Sequence, residues 1–256
     1  MHNAEKRVAI VTGGSRGIGL GISRALADKG RKLAIVYHQG VEHAEKAKNE
    51  LSAKTEVLLV RADVGIKAEA ERAVGEVLSK WGRADILVNN AGVFAYRTLA
   101  EMDEAFFEEI HRTNLLSAIF MSQSALPAMK KNRFGRIINA SSISGRLADI
   151  GLVAYGCSKA GVDIFTRIAA GELGPWGITV NAYAPGIIAT DMTAGIIATR
   201  SAEKLASIPL DRFGDIMDAG HLVAFLASDE AGYISGEIIG VDGGMCKVQS
   251  TIKAGD

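Results

Sequence analysis

Only two cysteines, Cys157 and Cys246, occur in the 256 residues, and they show no metal-ligand spacing. This argues against a disulfide framework and against a zinc site, both of which need thiols in sets. The histidines, His2, His38, His43, His111 and His221, form no ligand constellation either, so no metal is expected. There is no surplus of charge: Lys plus Arg and Asp plus Glu number 29 each. No global field therefore draws nucleic acid or an anionic membrane, and the expected partners are small molecules and sister subunits. No apolar run approaches the roughly 20 residues that span a bilayer. The opening Met-His-Asn-Ala-Glu-Lys-Arg has no hydrophobic signal region, so the protein is expected to be cytoplasmic. No linker, repeat or low-complexity block interrupts the chain, and residues 1–256 are expected to form a single domain, since large α/β sheets run past roughly 200 residues undivided.

Hydrophobic residues make up 48% of the chain and charged residues 23%, enough for a sheet covered on both faces. Runs of Val, Ile and Leu near 7–12, 32–37, 56–62, 84–89, 135–141, 178–184 and 237–242 alternate with helical patterns. Val74, Val77, Leu78 and Trp81 mark one covering helix, and 115–129 another. The expected fold is α/β, a single Rossmann-type doubly wound domain with a seven-stranded parallel sheet and six or so helices on its two faces. Segment 187–213 is read either as a lid over a substrate or as a plain connecting helix. A polar tail from about 247 is expected to be disordered.

Between the first strand and the next helix stands Thr12-Gly-Gly-Ser-Arg-Gly-Ile-Gly19. Gly13, Gly17 and Gly19 let the backbone approach a pyrophosphate and aim helix N-terminal amides at its charge. Asp63, the run Asn89-Asn90-Ala91-Gly92 and Pro185-Gly186 end the third, fourth and sixth strands at the same sheet edge, where open α/β sheets bind ligands. The second strand ends in Tyr37, His38 and Gln39 without the acid that would hold a ribose 2′-hydroxyl. Arg16, helped by His38, suits a 2′-phosphate instead, so NADP(H) is favoured over NAD(H). Farther on, Tyr155 and Lys159 stand four positions apart, projecting a phenol and an ammonium from one helix face. The ammonium is expected to lower the phenol's pKa. Lys130, Lys131, Arg133 and Arg136 form a basic cluster, read as a solvated helix end rather than a site for an acidic partner.

On these motifs the chain resembles the short-chain dehydrogenase/reductase family from about Lys6 to Met245, and within it the 3-oxoacyl-[acyl-carrier-protein] reductases most closely. The resemblance implies a carbonyl reductase acting on CH–OH groups, with Asn114, Ser142, Tyr155 and Lys159 as its catalytic set. Tyr155 would be general acid and base, and Ser142, thirteen residues earlier, would bond the developing alkoxide. Lys159 would bind the nicotinamide ribose, and Asn114 would hold a relay water. The cofactor set implied is Gly13, Ser15, Arg16, Gly17, Ile18, Gly19, His38, Asp63, Val64, Asn90, Ala91, Gly92, Tyr155, Lys159, Pro185, Gly186, Ile188 and Thr190. Substrate would meet Ser142, Ser144, Tyr155, Phe94 and Leu152, in a pocket between 94–96, the 144–153 loop and the segment from Ile187. A homotetramer is implied, packed through the helices of Asn114 and Tyr155 and through the last strand. Acyl carrier protein is one candidate partner: Arg133 matches a basic position used to recognise it, whereas Trp176 stands where another belongs. Sugar, polyol or small-ketone reduction is the alternative, and a catalytically idle dinucleotide sensor a further one, against which the intact Ser142, Tyr155 and Lys159 weigh.

Overall fold

A computed structural model describes residues 7–247. Seven strands, β1 (Val8–Thr12), β2 (Lys32–Tyr37), β3 (Val57–Arg61), β4 (Ile86–Asn89), β5 (Gly135–Ala140), β6 (Ile178–Pro185) and β7 (Ile238–Val241), lie within two residues of the apolar runs. They pair in the order β3-β2-β1-β4-β5-β6-β7, every pair parallel. Parallel strands are joined by crossovers that put helices on both faces, which is why β1 and β4 are buried at every residue.

Eight α-helices occur among the described residues: α1 (Gly17–Asp28), α2 (Val41–Leu51), α3 (Lys67–Trp81), α4 (Glu104–His111), α5 (Ser117–Asn132), α6 (Val153–Leu173), α7 (Ala194–Ala206) and α8 (Ile216–Leu226). They exceed six because the β4–β5 and β6–β7 crossovers each hold two. One layer packs Val74 and Val77 of α3, Met121 and Met129 of α5 and Leu173 of α6 against Val8, Ile10, Leu87 and Ile137. The opposite layer packs Ile22 and Leu26 of α1, Leu51 of α2 and Val223 of α8 against Val11, Ile35, Val88 and Ile138.

The 187–213 segment contains a helix, α7, which buries none of its residues and breaks at Arg200, where the backbone leaves helical geometry (φ −132°, ψ 24°). The segment is anchored instead at its ends, by Ile188 and Ile208, each 2% exposed. The tail expected from about 247 lies, beyond that residue, outside the described part of the chain.

α1 and α8 cross in contact because each has a glycine there. A Cβ on Gly21 would lie 2.3 Å from the Ile216 carbonyl oxygen, and one on Gly220 would lie 2.6 Å from that of Gly21. Backbone cannot yield as a flexible side chain does. Gly21→Ala is therefore expected to destabilise the protein by about 1–3 kcal/mol. Gly75→Ala on α3, where a Cβ meets nothing within 4 Å, should stabilise it by about 0.5–1 kcal/mol through helix propensity. Thermal melting of the two variants at equal concentration checks the opposite signs; a loss in both would show that the crossing is not what requires Gly21.

Candidate active site

The turn after β1 is shaped to receive an anion. Gly13 and Gly17 have φ of 64° and 51°, conformations open chiefly to glycine. The α1 N-terminus has no side-chain cap and no acid in its first turn, leaving its orphan amides to a ligand. Gly19 is needed for packing: a Cβ there would lie 2.0 Å from the Gly13 carbonyl oxygen and 2.6 Å from Asn90 Nδ2. These features fit a dinucleotide's pyrophosphate. Ser15 is buried and Ile18 half-buried in the same turn, while Arg16 is exposed beside it.

Asn90 locks this turn to its neighbours. Its Nδ2 donates to the carbonyls of Thr12 (2.9 Å) and Gly13 (3.2 Å), and its Oδ1 accepts from the Tyr183 hydroxyl at 2.8 Å. Thr12 Oγ1 in turn accepts from the amides of Asn90 (2.9 Å) and Ala91 (3.0 Å). β1, β4 and β6 are thus tied together where their carboxyl ends meet.

Tyr155 and Lys159 project from α6 into the same crevice. Lys159 is 4% exposed, its Nζ donating to the Ala140 carbonyl at 2.7 Å and lying 5.7 Å from the Tyr155 ring centre. A Cβ on Gly92 would lie 3.1 Å from Asn114 Oδ1 and 3.6 Å from that Nζ, so Gly92 packs beside both side chains. Burial brings the Lys159 pKa down to about 8, opposed by Asp163. Tyr155 is hydrogen-bonded to Ser142, yet burial outweighs that bond and raises the phenol's pKa. The expectation that Lys159 makes the phenol more acidic is not met here, because removing the phenolate from water is the larger effect.

Ser142 lies two residues beyond β5 and accepts the Ser144 amide at 3.1 Å, capping a 3₁₀ turn over Ile143–Gly145. Its hydroxyl thus both shapes the loop and meets Tyr155. Asn114 sits in a π-helical turn, Arg112–Leu116, between α4 and α5. Its Oδ1 accepts from the Val93 amide (2.8 Å), and its Nδ2 donates to the Val93 carbonyl (3.0 Å) and to Ser158 Oγ (3.1 Å). The side chain therefore staples the 91–93 strand exit to α6. Phe94 stands edge-on to Tyr155 at 4.9 Å and to Tyr96 at 5.0 Å. Leu152 is buried and bridged to Arg97, while Ile150 stands out into solvent at 89% exposure.

After β6, Gly186 donates its amide to Val241, and Thr193 Oγ1 donates to the Ile188 carbonyl at 2.5 Å. This folds the segment back so that Thr190 Cγ2 lies 3.4 Å from where a Gly17 Cβ would be. The Pro185–Thr190 segment and the glycine turn thereby face each other. At the far end, His38 is exposed and its carbonyl accepts from Arg61 Nε at 3.3 Å. Asp63 accepts from Arg112 Nη1 (2.9 Å) and the Gly65 amide (3.0 Å). Burial works against its charge, but these bonds hold the carboxyl below its usual range. Val64 is buried beside it, 7% exposed.

The basic cluster is smaller than its sequence suggests. Arg136 is buried, its guanidinium 4.3 Å from the Phe134 ring and donating to the Ser228 carbonyl. Lys130 and Arg133 lie 5.1 and 6.0 Å from the Trp176 ring, and Arg133 donates to the Pro175 carbonyl. Sequence reading also passed over Tyr183, Arg61, Arg112 and Asp163, whose parts depend on contacts between distant elements. Among the described residues no grouping of three or more His, Cys, Asp and Glu could hold a metal ion, and no helix is long and apolar enough to cross a membrane.

A family model described as "Enoyl-(Acyl carrier protein) reductase" matches residues 13–246. The 3-oxoacyl-[acyl-carrier-protein] reductase FabG of Staphylococcus aureus (strain Mu50) is 42% identical over 238 residues, 93% of this chain and 97% of its own. Among solved structures, a doubly substituted short-chain dehydrogenase/reductase of Serratia marcescens superposes with a TM-score of 0.88 at 34% identity, covering 94% of this chain and 98% of its own. A proposed gluconate dehydrogenase from Agrobacterium tumefaciens superposes with a TM-score of 0.89 at 31% identity, covering 94% and 96%.

The Tyr183–Asn90 bond gives the site a test that needs no ligand. Tyr183→Phe leaves the half-buried Asn90 Oδ1 without its Tyr183 donor, at an expected cost of about 1 kcal/mol. Hydrogen exchange of amides 13–19 should quicken while that of the α3 amides does not. Unchanged exchange in the turn would show that Asn90 holds it unaided.

Proposed function

Because the chain belongs to the short-chain dehydrogenase/reductase family, oxidoreductases acting on CH–OH groups, we propose that it is an NADP(H)-dependent reductase that turns a carbonyl into an alcohol, with a 3-oxoacyl group on acyl carrier protein as the leading substrate. The observation that carries this reading is the convergence of Ser142, Tyr155 and Lys159 below Gly92, at the edge shared with the glycine turn. What a bound nicotinamide supplies is hydride. The protein's part is to place the acceptor carbonyl and manage its proton. Tyr155, kept protonated by burial, gives its proton to the carbonyl oxygen, and Ser142 bonds the alkoxide as it forms. The raised phenol pKa suits the reductive direction. Lys159, buried and bonded to Ala140, holds the nicotinamide ribose and favours the anionic form of Tyr155 once the proton has left. Asn114 keeps the 91–93 segment against α6.

Gly13, Ser15, Gly17, Ile18 and Gly19 would hold the pyrophosphate, Asp63, Val64, Asn90, Ala91 and Gly92 the adenosine side, and Pro185, Gly186, Ile188 and Thr190 the nicotinamide. Arg16, exposed in the glycine turn, and His38, exposed just after β2 where no acid stands, support a 2′-phosphate and hence NADP(H). Phe94, Ser144 and Leu152 border the substrate. Exposed Leu116, Ile164 and Ile168, on the π-helical turn and the outer side of α6, support association of four copies through those helices, with a tetramer mass in light scattering as its check.

A second reading, reduction of a free sugar acid, polyol-derived ketone or small diketone, is favoured by the engagement of Lys130 and Arg133 with Trp176 and by the burial of Arg136. The basic cluster then offers less to an acidic carrier protein than its sequence suggests. Purified protein is expected to oxidise NADPH with an activated ketone. Tyr155→Phe should lower turnover by about 10²–10⁴-fold while NADPH still binds. Equal turnover by the variant would remove Tyr155 as the acid. A panel of acetoacetyl thioesters, keto acids, diketones and aldehydes with NADPH and NADH decides the substrate; activity confined to carrier-protein thioesters upholds the leading reading.

A further inference from the structure

Four residues after Lys159, on the same face of α6, lies a buried carboxylate for which the proposed chemistry has no use. Asp163 is 6% exposed. Its Oδ1 accepts from Ser141 Oγ at 2.5 Å and its Oδ2 from Arg146 Nε at 3.4 Å. Ser141 is the residue before Ser142, and its amide donates to the Tyr183 carbonyl at 2.9 Å. Arg146 continues outward, donating through Nη2 to the Ile238 carbonyl of β7 at 2.9 Å. Asp163 thus ties α6 to the end of β5 and, through Arg146, to the last strand.

The charges around Lys159 explain why a carboxylate is there. The ammonium's hydrogen-bond partner is a neutral carbonyl, Ala140. Beside it stand Tyr155 on its own helix and, from the β4 exit, Gly92 with neutral Asn114 of the π-helical turn next to it; Tyr155 and its neighbour Tyr183 from β6 are both phenols pushed upward by burial. Arg146, from the turn after β5, adds a second cation, and Cys246 and Asp242 lie on the far side of that guanidinium. Among the described residues Asp163 is the anion that acts on Lys159. A buried charge without an opposite partner is expensive, and an opposite charge within about 4–6 Å moves a pKa by roughly 1–3 units.

We propose that Asp163 is a positioning residue of this site: its carboxylate keeps Lys159 protonated and, through Ser141, fixes the strand end that presents Ser142. The inference rests on the functional reading above for what Lys159 and Ser142 do. Without Asp163, the buried Lys159 has no anion acting on it while the partly exposed cation Arg146 stays nearby. Lys159 then gives up its proton at a lower pH. The sign is set: ammonium is present below its pKa and lost above it, so whatever needs the charge fails earlier as pH rises.

The test begins with cofactor-free protein carrying lysine labelled with ¹³C at Cε, the Lys159 resonance identified by its loss in Lys159→Met. In the unmodified protein this resonance should titrate near 8. Asp163→Asn should move the midpoint down by about one pH unit, and Asp163→Glu should restore it. Arg146→Gln, which removes the competing cation at the partly exposed edge and leaves the carboxylate in place, should move the midpoint upward. It keeps the test decisive if Asp163→Asn does not fold. An unmoved midpoint in Asp163→Asn, or an unmoved or lowered one in Arg146→Gln, overturns the proposal. The alkaline limb of kcat/KM for carbonyl reduction should follow the resonance, falling about tenfold per pH unit beyond the midpoint. Should Tyr155→Phe retain turnover while the resonance still shifts, the functional reading fails and the Asp163–Lys159 coupling stands. Should Tyr155→Phe abolish turnover and the resonance stay put, the failure belongs to Asp163.

Discussion

Neighbouring β1 and β4 send their chains to opposite sides of one parallel sheet, and the site follows from that parting. The helix after β1 packs in the layer of Ile22 and Leu26, while α5, following β4, packs in the layer of Met121 and Met129. A parting of this kind opens a crevice at the carboxyl ends of the strands. The glycine turn rises on one side of it and Asn90 to Gly92 on the other. Asn90 bridges them with bonds of 2.9 and 3.2 Å to the turn's carbonyls. Tyr183, reaching across from β6, completes that bridge.

Within the crevice, burial rather than proximity of charge sets the resting state of the ionisable groups. Lys159 and Tyr155 are both drawn toward neutrality, the amine downward and the phenol upward. Each is checked by one partner of lesser effect, Asp163 for the amine and Ser142 for the phenol. The α4–α5 junction shows the same economy of parts. A π-helical turn is an uncommon conformation that persists where something needs the displaced residue, and here it sets Asn114 between Val93 and Ser158.

Most of the architecture was legible because buried parallel strands have to be apolar on both faces: runs such as Val-Ala-Ile-Val-Thr at 8–12 could not suit a half-exposed sheet. The glycine turn and the Tyr155–Lys159 spacing were legible because each is local, a matter of a few adjacent dihedrals or one helix face. What escaped notice was non-local. Arg136 reads as a surface cation beside Lys130 and Lys131, yet it comes from a strand and is covered by Phe134 and the 228–229 turn. Tyr183 reads as strand filler until β4 is known to lie two strands away. The phenol's shift was misjudged because a sequence gives the distance to a charge along a helix but not the depth of the solvent boundary.

The helix α7 buries none of its residues and breaks at Arg200, and it runs between anchors at Ile188 and Ile208. Few of its side chains are bound by the packing that restrains the sheet. Drift in that stretch is therefore cheap in stability. Such a scaffold can take on new side chains along roughly three and a half turns of exposed helix while the sheet beneath keeps its packing.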